Sequence, residues 1–232
     1  MAAPERHATR GAGMPRPLTT VGFLHTSPVH VPVFKALLSE IAPGAVDVHV
    51  ADAELLADVL ERGFDTGIET RLMARLRELA ERAPGVIVCT CSTFSGHAEK
   101  LAEALGIAVL RIDRPMAERA VALGGRVAVV AAVASTLGPT RDLFAECASA
   151  SAAVVVETSY VDAWPEFEAG DLDGYYASIA RHVREIAGAF DVVALAQASM
   201  APAAALLHDL AIPVLTSPRL AVLRAVEIVD AR

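Results

Sequence analysis

Val86-Ile87-Val88-Cys89-Thr90-Cys91-Ser92-Thr93 is an apolar run that ends on a thiol and two hydroxyls. At an offset of 106 residues the chain repeats the shape as Val192-Val193-Ala194-Leu195-Ala196-Gln197-Ala198-Ser199-Met200, with a glutamine in place of the thiol. Each run reads as a buried strand that turns directly into a helical pattern. A cysteine at such a turn lies near unpaired backbone N–H groups and the positive end of a helix dipole. That setting is expected to lower a thiol's pKa from its ordinary value of roughly 8.5 and make it a nucleophile or base.

Further β-rich runs lie at 20–24, 45–50, 107–111, 126–131, 153–157 and 212–215, besides 86–90 and 191–196. They consist mostly of Val, Ile, Leu and Ala without polar alternation, as parallel strands buried on both faces do. Helical patterns lie between them, at 31–41, 66–83, 95–105, 115–123, 137–150, 171–187, 200–210 and 217–230. Asp171 and Ser217 suit N-caps, and Pro218 suits the first helical position. Strand–helix alternation of this kind implies an α/β fold with right-handed crossovers.

The repeat extends further. Ile107-Ala108-Val109-Leu110 matches Ile212-Pro213-Val214-Leu215 at an offset of 105, and Gly22-Phe23-Leu24 falls opposite the Ala128 region. The expected architecture is therefore two pseudo-symmetric lobes, each a four-stranded, mostly parallel sheet flanked by helices. The expected divisions are a disordered tail at 1–17, a first lobe at 18–115, a second at 116–216, and a C-terminal helix at 217–232 that packs back on the first lobe. The carboxyl ends of both sets of strands would face a shared cleft, where open α/β sheets bind ligands.

Composition narrows the function classes. With 54% hydrophobic and 21% charged residues, the 232-residue chain has material for a sizeable core. A net charge of −8 argues against nucleic acid, which calls for a basic patch. The longest clean apolar run, Val127 to Ala134, has eight residues, against about 18 for a membrane span. Residues 1–17, with Pro4, Gly11, Gly13, Pro15 and Pro17 among charged residues, lack the apolar core of a signal peptide. Three cysteines without a CxxC pair fit reduced thiols in a cytoplasmic setting and no zinc site. Neither a dinucleotide fingerprint nor a P-loop occurs, and Gly124-Gly125 is a turn before a strand.

The pattern resembles the aspartate/glutamate/hydantoin racemase superfamily. Cys91-Ser92-Thr93 fits that family's first cysteine signature. Val127 to Thr140, with Ser135, Thr136 and Thr140, is similar to its mid-chain strand and loop, although Ala132 stands where the first threonine would fall. Leu195 to Met200 fits the second cysteine signature except at Gln197. The resemblance covers about residues 20–230. It implies a cofactor-independent enzyme, often dimeric, that acts on a small carboxylic or amino acid, with one cysteine from each lobe in the cleft.

On this reading Cys91 is the catalytic candidate, taking an α-proton or adding to a double bond as thiolate. The alternative is a small buried side chain. Cys89 shares the face of Cys91 but sits deeper, as packing. Gln197 cannot exchange a proton and would orient the substrate. The symmetric two-thiol scheme then lacks a member, and His25, at the carboxyl end of the first strand, is the candidate replacement, with a backbone-bound loop histidine as the alternative. Thr26 and Ser27 could donate to a substrate carboxylate. Ser92, Thr93, Thr136, Ala198 and Ser199 would build the anion site, for which helix capping is a compatible alternative. His97 would be either a thiolate partner or solvated, and Asp113 a cap or ion-pair member. Tyr160 and Trp164, in a loop at 158–165, would either cover the cleft or pack on the surface. Three readings stay open: racemase or isomerase, single-cysteine decarboxylase or other lyase, and a carboxylate-binding protein without turnover.

Overall fold

In the computed structural model, residues 19–149 and 154–232 are described. The expected tail at 1–17 lies outside them. The first sheet holds β1 (Thr20–His25), β2 (Val46–Ala51), β3 (Val86–Cys89) and β4 (Val109–Arg111), in the order β2-β1-β3-β4. The second holds β5 (Gly125–Ala131), β6 (Val154–Tyr160), β7 (Val192–Leu195) and β8 (Val214–Thr216), in the order β6-β5-β7-β8. Every pairing is parallel. The helices are α1 (Val31–Ile41), α2 (Ala53–Arg62), α3 (Thr66–Ala80), α4 (Ser95–Leu105), α5 (Arg114–Leu123), α6 (Ala134–Ala148), α7 (Trp164–Glu168), α8 (Leu172–Ile186) and α9 (Ser217–Asp230).

The repeat read from the sequence is a repeat of hydrogen bonds. Thr90 N donates to Leu24 O at 2.9 Å, and 106 residues on Ala196 N donates to Val130 O at 2.9 Å. Gly85 N to Thr20 O and Asp191 N to Arg126 O, both 2.8 Å, keep the same offset. Strand alternation explains why the central strands show no polar alternation, whereas the edge strand β2, with Asp47 and His49 between valines, does. Val21, Phe23, Val86 and Val88 face α1 and α9, while Leu24, Ile87 and Cys89 face α2, α3 and α4. In the second sheet Ala128, Val130, Val193 and Leu195 face α8, and Val127, Val129 and Ala194 face α5 and α6. Both faces of both sheets are therefore core. The helices after the last strand of each sheet cross over: α5 packs on the second sheet and α9 on the first.

Four local expectations change. Residues 51–65 hold a helix, α2, where only a connection was expected; Leu55 and Val59, one turn apart, are its buried stripe, and Gly63 at φ 76° ends it. The helix expected at 200–210 is a 3-10 segment, Ala198–Leu207, with Pro202 inside it. The loop expected at 158–165 is the end of β6 followed by the start of α7. Asp171 caps α8, accepting from Gly174 N at 3.0 Å, whereas Ser217 is already inside α9 with Thr216 at the cap position. Among the described residues no helix is long and apolar enough to cross a membrane, and no group of three His, Cys, Asp or Glu is placed to hold a metal ion.

Candidate active site

The carboxyl ends of β1, β3, β5 and β7 converge on one small cavity of about 40 Å³. Eight of the ten candidate positions line it: Thr26, Cys91, Ser92, Thr93, Thr136, Gln197, Ala198 and Ser199. His30, Leu56, Thr90, Val133 and Trp164 complete the wall.

Cys91 and Gln197 stand at equivalent strand ends, 9% and 8% exposed. The chain turns into α4 just after Cys91, whose carbonyl accepts from Phe94 N and Ser95 N, both at 3.0 Å. Burial pushes the Cys91 thiol above its ordinary value. The Thr26 hydroxyl, the backbone N–H groups of Thr93 and Phe94 and the Thr93 hydroxyl oppose that rise without cancelling it. The expectation of a lowered pKa is thus corrected: desolvation outweighs the helix start, and the resting group is a thiol. Cys89, deeper in the core, is pushed to about 12 by burial and is inert.

Gln197 is held by one end. Its Oε1 accepts from Ala132 N at 2.8 Å, which fixes the amide and leaves its buried Nε2 without an acceptor among the described residues. The buried Nε1 of Trp164 is in the same condition. The hydroxyls are more committed. Ser92 donates to Ala196 O at 2.8 Å, across the two lobes. Ser199 pairs with the Tyr175 hydroxyl at 2.9 Å, and Thr93 lies 3.2 Å from Ser135 Oγ and 3.4 Å from Thr136 Oγ1.

His25 and Ser27 are not brought to the cavity. His25 is 0% exposed, with Nδ1 on Thr90 Oγ1 and Nε2 on His49 Nδ1, each at 2.9 Å. Burial, then the neighbouring His49 and His30, hold its pKa down to about 3. Both ring nitrogens are spent on structure, so His25 cannot stand opposite Cys91. Ser27 begins the 3-10 turn Pro28–His30, its carbonyl accepting from His30 N at 3.3 Å. That turn carries His30 back over the strand end to the cavity wall, where burial lowers its pKa to about 4. Sequence reading passed over His30 because it stands outside the motifs; Pro28, which starts a turn immediately after β1, was the available signal.

Trp164, stacked on Phe167 at 4.6 Å, reaches the cavity, while Tyr160 stays exposed. His97 stacks on Phe64 at 3.6 Å and does not line the cavity. Asp113 forms a buried ion pair with Arg111 at 2.9 Å.

Residues 26–225 match the sequence profile of the Asp/Glu/hydantoin racemase family. No curated protein sequence matches the chain. Among solved structures, Picrophilus torridus aspartate racemase superposes with a TM-score of 0.71 at 13% identity, covering 91% of this chain and 94% of that one. Allantoin racemase from Klebsiella pneumoniae gives 0.63 at 18%, over 92% and 88%. Arylmalonate decarboxylase gives 0.56 at 14%, over 90% and 92%. At these identities the structures share a fold with this chain.

Proposed function

The chain belongs to the Asp/Glu/hydantoin racemase family, and on that premise we propose that it is a cofactor-independent isomerase of a small carboxylic acid, acting at the α-carbon through Cys91. The observation that carries this reading is the pair of unpartnered buried donors, Gln197 Nε2 and Trp164 Nε1, on the wall of the cavity that holds the thiol. Buried donors are nearly always satisfied, so this wall suits a ligand that brings acceptor oxygens. A carboxylate does so, and the same donors would stabilise the enediolate that forms when an α-proton leaves.

The resting protonation states set the direction of proton flow. His30 is a bare imidazole and Cys91 a protonated thiol at neutral pH. In the proposed step an imidazole nitrogen of His30 takes the α-proton, and the C–H electron pair moves into the carboxylate. The Cys91 S–H then gives its proton to the α-carbon. The imidazolium and thiolate left behind are reset by proton transfer through solvent. A bound carboxylate raises the proton affinity of His30 and so helps the first transfer.

A second reading has its own support. Gln197 cannot carry a proton, and among the described residues Cys91 is the only thiol on the cavity wall. In a decarboxylase the C–CO₂ bond of a malonate-like acid breaks, its electron pair forms the enediolate, and Cys91 protonates carbon once. Turnover in D₂O separates the two. Isomerisation places deuterium at the α-carbon of both enantiomers with no gas released. Decarboxylation releases CO₂ and yields one labelled enantiomer. If neither occurs with any small α-substituted acid, while acids still bind, both readings fall in favour of a binding protein.

A further inference from the structure

A second cavity, of about 350 Å³, opens beside the first and shares three wall residues with it: His30, Ala198 and Ser199. Its wall is mostly apolar. Val33 and Leu37 come from α1, Phe167 from α7, Tyr176 from α8, and Ala201 and Pro202 from the 3-10 segment. The charged side chain on it, Arg219, is already paired with Glu40 at 2.9 Å. Val29, Val33 and Leu172, on the same wall, are 54%, 46% and 41% exposed, an unusual cost for three large apolar side chains.

The volumes are informative together. A water-sized group needs roughly 10–15 Å³ of such space, so about 40 Å³ holds about three or four such groups: a carboxylate and its α-carbon, and little else. The remainder of any substrate must leave that cavity. Among the described residues, a charged cleft of about 510 Å³ between α4 and α6 shares only Thr93 with the small cavity. The apolar cavity meets it along three residues, and its size lies within the range of ordinary small-molecule pockets.

We infer that the apolar cavity is the subsite for a bulky hydrophobic substituent on the α-carbon of the substrate, of aryl or branched-alkyl size. This rests on the carboxylate reading of the small cavity. It separates this chain's substrate from aspartate-sized acids, whose polar side chains would lose hydration against that wall without finding partners.

Titration calorimetry with three probes of identical dianionic head tests the inference: methylmalonate, benzylmalonate and carboxymethylmalonate. The second carboxylate of that head lies outside the small cavity in all three and so cancels in the comparison. Benzylmalonate is expected to bind at least about tenfold tighter than methylmalonate, since a ring removed from water at about 25 cal/mol per Å² readily supplies that factor. Val33→Trp and Ala201→Trp, each filling the apolar cavity from a different element, are expected to erase that difference and leave methylmalonate affinity unchanged. Circular dichroism of both variants checks folding. Equal affinities for the benzyl and methyl acids, or a difference that survives both fillings, overturns the subsite. So does tightest binding of carboxymethylmalonate, which would direct the substituent to the charged cleft. Should sedimentation show the fillings dissociating a dimer while the benzyl preference persists, the apolar face is a contact between two copies and the inference fails. If methylmalonate binds and benzylmalonate gains nothing, the subsite alone is lost; if no probe binds, the carboxylate reading is lost with it.

Discussion

At the scale of single residues the site turns on what Cys91 and Gln197 can each do. Cys91 is a buried thiol whose pKa is raised by desolvation, so its value to the chemistry is a proton delivered to carbon. Cys91→Ala and Cys91→Ser should lower turnover by about a thousandfold or more, while the affinity for an inert carboxylate changes by a few-fold only. Parallel loss of binding would make the thiol a structural element of the pocket. Gln197 offers a sharper separation, because its two amide atoms have different jobs. Gln197→Ala removes the acceptor of the buried Ala132 N–H and should cost about 1–3 kcal/mol of stability, as well as weakening carboxylate binding. Gln197→Glu keeps an oxygen for Ala132 N–H but replaces the free donor with negative charge. It should melt within a few degrees of the parent and bind methylmalonate at least about tenfold more weakly. A Glu variant that binds as well as the parent would remove Nε2 from the proposed carboxylate site.

At the scale of elements, the central strands β1, β3, β5 and β7 were legible because a strand buried on both faces is a continuous apolar run, and the edge strand β2 because its valines alternate with Asp47 and His49. The 106-residue repeat was legible for the same reason: equivalent strands must fill equivalent layers. What escaped reading depends on tertiary placement. α2 has only a two-residue buried stripe, and its position is fixed partly by Asp52, just before it, which accepts from Arg71 and Arg75 of α3 at 2.6–2.9 Å. His30 escaped because a turn's direction, and not its composition, brings it to the cavity; His25 misled because strand end and cleft are adjacent, yet its ring points into the His49 and Thr90 contacts. A C-terminal helix packing back on the first lobe was expected, but the close contact that seats α9 there was not legible residue by residue. It depends on Gly85, where an added Cβ would lie 2.6 Å from Val229 Cγ2 and 2.9 Å from Val229 Cγ1. Gly85→Ala should therefore destabilise the protein by about 1–3 kcal/mol through overpacking, and Val229→Ala in the same chain should recover part of the loss. Additive losses in a chemical-denaturation cycle would show that the two sites do not touch.

For the molecule as a whole, the two lobes are fastened on both sides of the cavity. Ser92 donates to Ala196 O at 2.8 Å within it, and outside it Arg114 holds Glu99 of α4 and Glu146 of α6, both at 2.9 Å. A structure tied in this way should lose its lobes together, so a titration in one lobe is felt by the whole fold. The first lobe contains such a titration. His25 and His30 are held to about 3 and about 4 by burial, and His49 is lowered as well, with Asp47 opposing and Lys35 adding to the shift. His25 packs against Phe23 and Phe34 and bonds Thr90, and among the described residues no carboxylate acts on it or on His30. A histidine whose folded pKa lies below its unfolded value near 6.5 leaves the unfolded chain holding more protons between the two values. Stability is therefore full above about pH 6.5 and falls as pH drops toward 4, by a total on the order of a few kcal/mol. Carboxylates such as Asp52, held down by Arg71 and Arg75, add their loss only at lower pH, where an unfolded carboxylate takes up its proton. Urea midpoints measured from pH 8 to pH 4 should thus be flat at first and then decline from about pH 6.5. His25→Gln, which cannot titrate but can still hydrogen-bond Thr90, should shallow that decline even if it lowers the plateau. A parent midpoint that stays flat down to pH 4.5, or a His25→Gln slope equal to the parent's, would mean that these histidines do not govern the acid limb.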